Sequence, residues 1–376
     1  MVVTREPHAT EAGLRVLQGG GNAVDAAIAV GFALAVTHPS AGNIGGGGFM
    51  LIRFADGRTT FIDFRERAPG KAHRDMYLDA SGKPTNESVR GWRASGVPGT
   101  VRGFELAHRK YGSKPWSELV APAVELAAKG FPVSYGLANS LRNSKALAQY
   151  PESRRIFQRD GRFFEVGEKL VQPELGRTLE RIARRGAADF YEGETARILA
   201  REMAANGGLI TLEDLRSYAA VERKPLEGSY RGHQIIGAPP PSSGGAGILQ
   251  MLGILEGSGY EKNGAGSAAA IHFTAEVMRR YYADRSEHLA DPDFHKVPLE
   301  ALLNRDYIAQ RRASIDPAKA TPSAAVRAAA FSRQESMETT HYSIVDTQGN
   351  AAAVTYTLNG GYGSGVTVPG IGVLMN

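Results

Sequence analysis

The sequence predicts an α+β protein built from layered sheet and helix. Three observations carry that reading. Phe49 to Phe54 and Thr59 to Phe64, separated by Asp56-Gly57, describe two strands, glycine-stopped helical periodicities fill the middle, and a strand pair of alternating pattern lies between Thr339 and Asn359.

Taken in order, Thr10 reads as the cap of a short helix ending at Gly19-Gly20-Gly21. Asn22 caps a second helix, with Asp25 in its first turn, where the helix dipole favours an acid. The glycine run Gly45 to Gly48 leads into a strand from Phe49 to Phe54, closed by Asp56-Gly57, and Thr59 to Phe64 is the return strand. The spacing then predicts helices over Trp116 to Lys129, Pro173 to Arg185 and Glu194 to Ala205, stopping at Gly130, Gly186 and Asn206-Gly207-Gly208. Thr211 with Asp214 has the form of a capping arrangement. Pro239 to Gly245 is a rigid turn entering a helix, and a long helix runs from about Ala268 to Leu289. The alanine-rich piece Ala318 to Ala330 reads as an exposed connector.

A chain of 376 residues forms one large domain or two ordinary ones. Its 42% hydrophobic and 22% charged content describes a globular protein with a sizeable core. The net charge of +5 is spread along the chain without a long basic block, which argues against nucleic acid as a partner. With no cysteine there is no disulfide, zinc-thiolate site or thiol catalysis. No apolar run approaches the roughly 18 residues of a membrane span, and no basic-then-apolar leader is visible at the start.

The closing pair is the most informative segment. Asp346-Thr347-Gln348-Gly349-Asn350 supplies turn chemistry, so a β-hairpin follows. Pairing Val345 with Ala351 sets Thr339 directly across from Thr357, and opposed Cβ atoms lie roughly 4.5–5.5 Å apart. One face then carries Tyr342, Ile344, Val354, Tyr356 and Leu358. The other carries Thr339, His341, Ser343, Thr355, Thr357 and Asn359. A slip of one residue would destroy that sorting. Threonine is also simply a good strand former, so the hairpin alone leaves its purpose open.

Glu338-Thr339-Thr340-His341-Tyr342-Ser343 with Thr355-Tyr356-Thr357-Leu358-Asn359 resembles the processing site and nucleophile strand of γ-glutamyltranspeptidases. So do Gly20 to Ala27, His38-Pro39, Gly45 to Met50, Asp63-Phe64-Arg65-Glu66, Ala94 to Thr100, Pro239 to Gly245 and Tyr282 to Ser286, in the family's order along nearly the whole chain. The resemblance implies a four-layer αββα sandwich of the N-terminal-nucleophile hydrolase type. It implies that residues 1–338 are the large-subunit region and 339–376 the start of the small catalytic subunit, the two forming a heterodimer from one precursor. It implies self-cleavage between Glu338 and Thr339, removal of the γ-glutamyl group from glutathione and related amides, and transfer to water, an amino acid or a dipeptide. No metal or organic cofactor is implied, and the family places such a protein in the periplasm or outside the cell.

In that scheme Thr339 is the nucleophile. A threonine hydroxyl is weak until a base takes its proton, and an N-terminal threonine brings its own α-amine, of pKa about 7.7–8. Thr357 is the partner that orients Thr339, Asn359 the ligand of the glutamyl α-amino end, and Arg65 the grip on the α-carboxylate. The planar fork of arginine suits the last task. By itself, an arginine between acids is a surface ion pair, and a strand-end asparagine is merely hydrogen-bonded. His341 shares the polar face, but residues two apart on a strand lie about 7 Å apart, too far for a dependable proton relay. It reads as a structural hydrogen-bonder. Gly45 to Gly48 lacks the following Lys-Ser or Lys-Thr of a phosphate loop and instead permits close backbone packing. No Gly-x-Ser-x-Gly elbow supports a serine triad.

The chain departs from the family pattern at its end. Only residues 339–376 follow the proposed cut, whereas the family's small subunit continues with a Gln/Asp segment, a Ser-Ser pair and a Gly-Gly oxyanion hole. The expectation is a fragment of a longer enzyme, unstable and inactive alone, with strand edges uncovered. Two rivals remain: a cephalosporin or glutaryl acylase on the same scaffold, against which Arg65 and Asn359 argue, and an unprocessed binding or structural module.

Overall fold

The computed structural model describes residues 1–326 and 339–376, which fall into two compact units. The first comprises Met1–Glu222 and the C-terminal segment; the second begins at Arg223. The expected break at residue 338 is a proposed site of chemistry, and the C-terminal segment shares a unit with the first 222 residues.

The first unit is organised by a six-stranded sheet in the order Val2–Val3, Thr340–Val345, Ala351–Thr357, Gly47–Arg53, Thr59–Phe64, Val221–Arg223. The hairpin register is the expected one, Ala351 opposite Val345 and Tyr356 opposite Thr340. Gly47–Arg53 inserts between the hairpin and Thr59–Phe64, pairing antiparallel with both. No local sequence signal joins the two hairpins.

Helix Ala23–Thr37 lies against one face of this sheet. Its apolar residues run all round, so no face suits water and all of it is buried. Asn22 and Asp25 form the capping box at its start. Tyr342 and Tyr356 point down from the hairpin and donate to the carbonyls of Ala27 and Gly31, both at 2.9 Å. Gly31 is required there: a Cβ would sit 2.3 Å from Phe104 and 2.7 Å from the Tyr342 hydroxyl. The helices Trp116–Lys129 and Pro173–Arg185 pack in succession beyond it.

The first helix spans Pro7–Gln18 and is capped by Glu6, not Thr10. The Glu6 side chain accepts from the Ala9 N–H at 3.0 Å. Proline at the first position already has the helical φ and lacks a donor that would have found no partner anyway.

The second unit contains the hairpin Leu226–Tyr230 with His233–Gly237 and the helices Gly244–Leu255, Ala268–His288 and Arg305–Ala313 around Ile254, Leu255, Val277 and Ile315. Glu276, 1% exposed, accepts from Arg280 at 2.7 Å and from the Thr321 N–H at 3.0 Å. The connector is mostly exposed from Asp316 to Ala325, and residues 327–330 lie outside the described residues. Among the described residues no helix is long and apolar enough to cross a membrane.

Candidate active site

The face of the sheet opposite helix Ala23–Thr37 holds the candidate residues. Strand alternation sends Thr340, Tyr342, Ile344, Val354 and Tyr356 into the core and leaves His341, Ser343, Thr355 and Thr357 on the other side. Thr340 is 1% exposed and aimed inward, as the sequence pattern requires, whereas Thr339 is exposed. The paired ladder ends at Thr340 and Tyr356, and one more step at that register sets Thr339 across from Thr357. Glu338, the other side of the proposed scissile bond, lies outside the described residues.

The row continues across the sheet. Thr357 is paired on its other side with Gly47, and the step beyond Gly48 opposite Phe64 brings Arg65 level with Gly47. Thr339, Thr357, Gly47 and Arg65 therefore lie along one line perpendicular to the strands. At about 4.7–4.9 Å per strand the backbone span is about 14 Å. The Arg65 side chain is exposed on this same face, its guanidinium carbon 5.8 Å from the centroid of the Phe49 ring, and Phe49 stacks on Phe61 at 5.3 Å. The turn that carries Arg65 is fixed locally: its N–H donates to Asp63 Oδ1 at 3.0 Å and its carbonyl accepts from the Tyr218 hydroxyl at 2.8 Å.

Gly47, read from sequence only as a close-packing glycine, is a member of this row, and Glu66 reaches it from the neighbouring turn. Gly47 lets its neighbours close in on the middle of the line: a Cβ there would lie 2.5 Å from the Phe64 carbonyl and 2.9 Å from Glu66 Oε2. The carboxyl of Glu66 thus reaches the position between Thr357 and Arg65. Burial pushes its pKa up, opposed by the Arg65 charge and by backbone N–H groups of Glu66 and Gly47. The signal was present in the sequence as a glycine at a polar-face position directly opposite a threonine, but it depended on pairing the two hairpins.

Asn359 departs from the expected placement. The strand stops at Thr357, and Asn359 takes a left-handed conformation with φ +73°, which asparagine tolerates better than most residues. Its N–H turns back to donate to Thr357 Oγ1 at 2.9 Å, so it adjoins Thr357 through a turn rather than through the ladder. His341 bonds Thr355 Oγ1 at 2.8 Å through Nδ1 and Ser343 Oγ at 3.1 Å through Nε2. Burial lowers its pKa, which keeps the ring neutral near pH 7. Both nitrogens are engaged in holding neighbouring hydroxyls, as expected of a structural residue.

The glycines do what close packing demands. A Cβ at Gly45, Gly46 or Gly48 would strike the backbone of Leu374, Thr357 or Thr355 at 2.2, 2.3 and 2.4 Å. Asn43 fixes the loop, its Oδ1 accepting from the Gly46 N–H at 2.9 Å and the Thr100 hydroxyl at 2.8 Å.

Comparison with known proteins gives a consistent result. Residues 9–376 match the family model described as gamma-glutamyltranspeptidase. The chain is 52% identical over its full length to the glutathione hydrolase proenzyme of Escherichia coli, of which it spans 65%. Among solved structures, Helicobacter pylori gamma-glutamyltranspeptidase matches with TM-score 0.84 and 44% identity, covering 86% of this chain and 94% of that one. The cephalosporin acylase of Bacillus halodurans matches with TM-score 0.83 and 26% identity, over all of this chain and 68% of that one. The fold is accordingly the mixed α and β architecture of the N-terminal-nucleophile hydrolases, with its antiparallel sheet at the centre.

Proposed function

The chain belongs to the γ-glutamyltranspeptidase family, and on that premise we propose that the protein cleaves itself before Thr339 and then transfers γ-glutamyl groups. In the processing step Thr339 Oγ attacks the Glu338 carbonyl carbon. The amide C–N bond breaks, an ester forms, and the α-amine of Thr339 is freed. Water then hydrolyses the ester, leaving a Glu338 carboxylate and a free threonine hydroxyl. In catalysis that amine takes the hydroxyl proton as Oγ attacks the γ-carbonyl of the substrate, and the leaving amine carries a proton away. Water or an amino acid resolves the acyl-threonine, which is hydrolysis in one case and transpeptidation in the other.

The observation that supports this reading is the line of Thr339, Thr357, Gly47 and Arg65 on one sheet face. A γ-glutamyl group has a reacting carbonyl at one end and an α-carboxylate at the other, and the line offers a hydroxyl at one end and a guanidinium at the other. Glutathione and related amides are the proposed donors, amino acids and dipeptides the acceptors. The cleaved pieces remain together as a heterodimer, and the proposed location is the periplasm or the exterior. The acylase reading shares the scaffold, and a glutaryl group would present a carboxylate to Arg65 as well; the α-ammonium that only the γ-glutamyl group carries is what Asn359, beside Thr357, is proposed to hold.

The test is turnover by the full-length protein of γ-glutamyl-p-nitroanilide against a glutaryl anilide of the same leaving group. The proposal expects release from the first to exceed the second at least tenfold, the worth of a charged hydrogen bond of about 1.5–3 kcal/mol. Preference for the glutaryl compound would overturn it in favour of the acylase reading.

A further inference from the structure

We propose that Asn376 is a positioning residue for the carboxylate-binding end of the site, acting through the turn that carries Arg65 and Glu66. The inference rests on the proposed γ-glutamyl chemistry. Asn376 brings together two segments far apart in sequence. Its Nδ2 donates to the Gly45 carbonyl at 2.8 Å and to the Gly96 carbonyl at 2.9 Å, while its Oδ1 accepts from the Gly96 N–H at 2.8 Å. Its own N–H donates to the Gly45 carbonyl at 3.1 Å, and the preceding Met375 forms a parallel bridge with Gly45.

Each clamped segment leads to the site. Gly45 is two residues before Gly47, the member of the row between Thr357 and Arg65. Gly96 adjoins Val97, which is bridged to Arg67, the Val97 N–H donating to the Arg67 carbonyl at 2.7 Å. Gly96 also packs tightly: a Cβ there would lie 3.2 Å from Glu66 Cβ, 3.2 Å from the Arg67 carbonyl and 3.3 Å from Asn376 Oδ1. The turn Arg65–Glu66–Arg67 is therefore held from one side by Gly47 and from the other by Gly96, and Asn376 ties the two supports together.

The bonding pattern also specifies the side chain. Two carbonyls need donors and one N–H needs an acceptor, which an amide provides in the orientation seen. Aspartate has the same shape but would present oxygen to both carbonyls, so Asn376→Asp reverses the interaction with almost no change in volume.

The experiment uses the full-length protein, with kcat and KM for γ-glutamyl-p-nitroanilide, extent of processing, and thermal midpoint measured for wild type, N376D, G96A, R65A and N376D/R65A. The expectation is normal processing, a KM raised roughly tenfold in N376D with kcat changed less than about twofold, and a smaller KM increase in G96A. In the R65A background N376D should change KM less than about twofold, because the residue through which it acts is already gone. Unchanged KM in a folded, processed N376D, or an effect that multiplies fully with R65A, would overturn the proposal; a lowered thermal midpoint with KM unchanged would mean a structural role only. Should N376D fail to fold, G96A, which needs its neighbours to yield only a few tenths of an ångström, tests the same support from the other side: an unchanged KM there overturns the proposal too. A wild-type enzyme without turnover would refute the proposed function rather than this inference.

Discussion

At the scale of single residues, the nucleophile and its supports should fail in different ways. Thr339→Ala should remain uncut and inactive, while Thr339→Ser should still be processed; gel mobility and turnover read both. Thr357→Ala leaves the nucleophile chemically intact but poorly oriented, and should cost about two orders of magnitude in kcat. Arg65→Lys keeps the charge and loses the fork, so KM for γ-glutamyl donors should rise roughly 10–100-fold, the worth of one charge-assisted hydrogen bond. With the α-amine of Thr339 as the proposed base, activity should fall below a midpoint of about 7.7–8 as the amine protonates. His341 is already neutral there because burial lowers its pKa, and His341→Gln should leave that midpoint in place. A midpoint that moves with His341→Gln would make the histidine the base.

At the scale of elements, the join between the two hairpins makes the site. Gly47→Ala places a methyl 2.5 Å from the Phe64 carbonyl and 2.9 Å from Glu66 Oε2, so it should impair turnover even where the fold survives. The hairpin turn is anchored separately. Asp346 Oδ2 accepts from the Ala23 N–H at 3.1 Å and from Asn350 Nδ2 at 2.7 Å, tying the turn to the buried helix. Asp346→Ala should destabilise the protein by about 2 kcal/mol, measurable by urea titration. Much of this level was legible in the sequence because its signals are local. The bounds Thr59–Phe64, Trp116–Lys129, Pro173–Arg185 and Glu194–Ala205 follow from period and stop residues alone. The register of the last hairpin follows from which residues must be buried. What could not be read is non-local. Nothing near Gly47 announces Thr357, nothing near Gly96 announces Asn376, and the left-handed turn at Asn359 interrupts an alternation that looks continuous.

At the scale of the whole molecule the two units carry different acid-sensitive groups. In the first, burial and then the nearby charge of Arg5 lower the pKa of His38 from 6.5 to about 4. An unfolded chain takes up a proton there below pH 6.5 that the folded chain refuses. Stability therefore falls as pH drops from 6.5 to 4 and levels off below, by no more than about 3 kcal/mol. In the second unit burial opposes ionisation of Glu276, but bonds from Thr321 and Arg280 outweigh it and bring its pKa from 4.5 to about 2. That contribution is complete above pH 4.5 and is lost as pH falls towards 2. Both tryptophans, Trp92 and Trp116, belong to the first unit. Their fluorescence in urea should show a midpoint that declines between pH 6.5 and 4, and His38→Gln should flatten the decline. A flat wild-type profile would contradict the burial argument.

The most direct test follows the covalent state of Thr339 during turnover. Full-length protein, mixed with γ-glutamyl-p-nitroanilide and quenched in acid, should yield on mass spectrometry a fragment beginning at Thr339 that carries one γ-glutamyl group. Nitroaniline release by a chain whose Glu338–Thr339 peptide bond is still intact would contradict the mechanism.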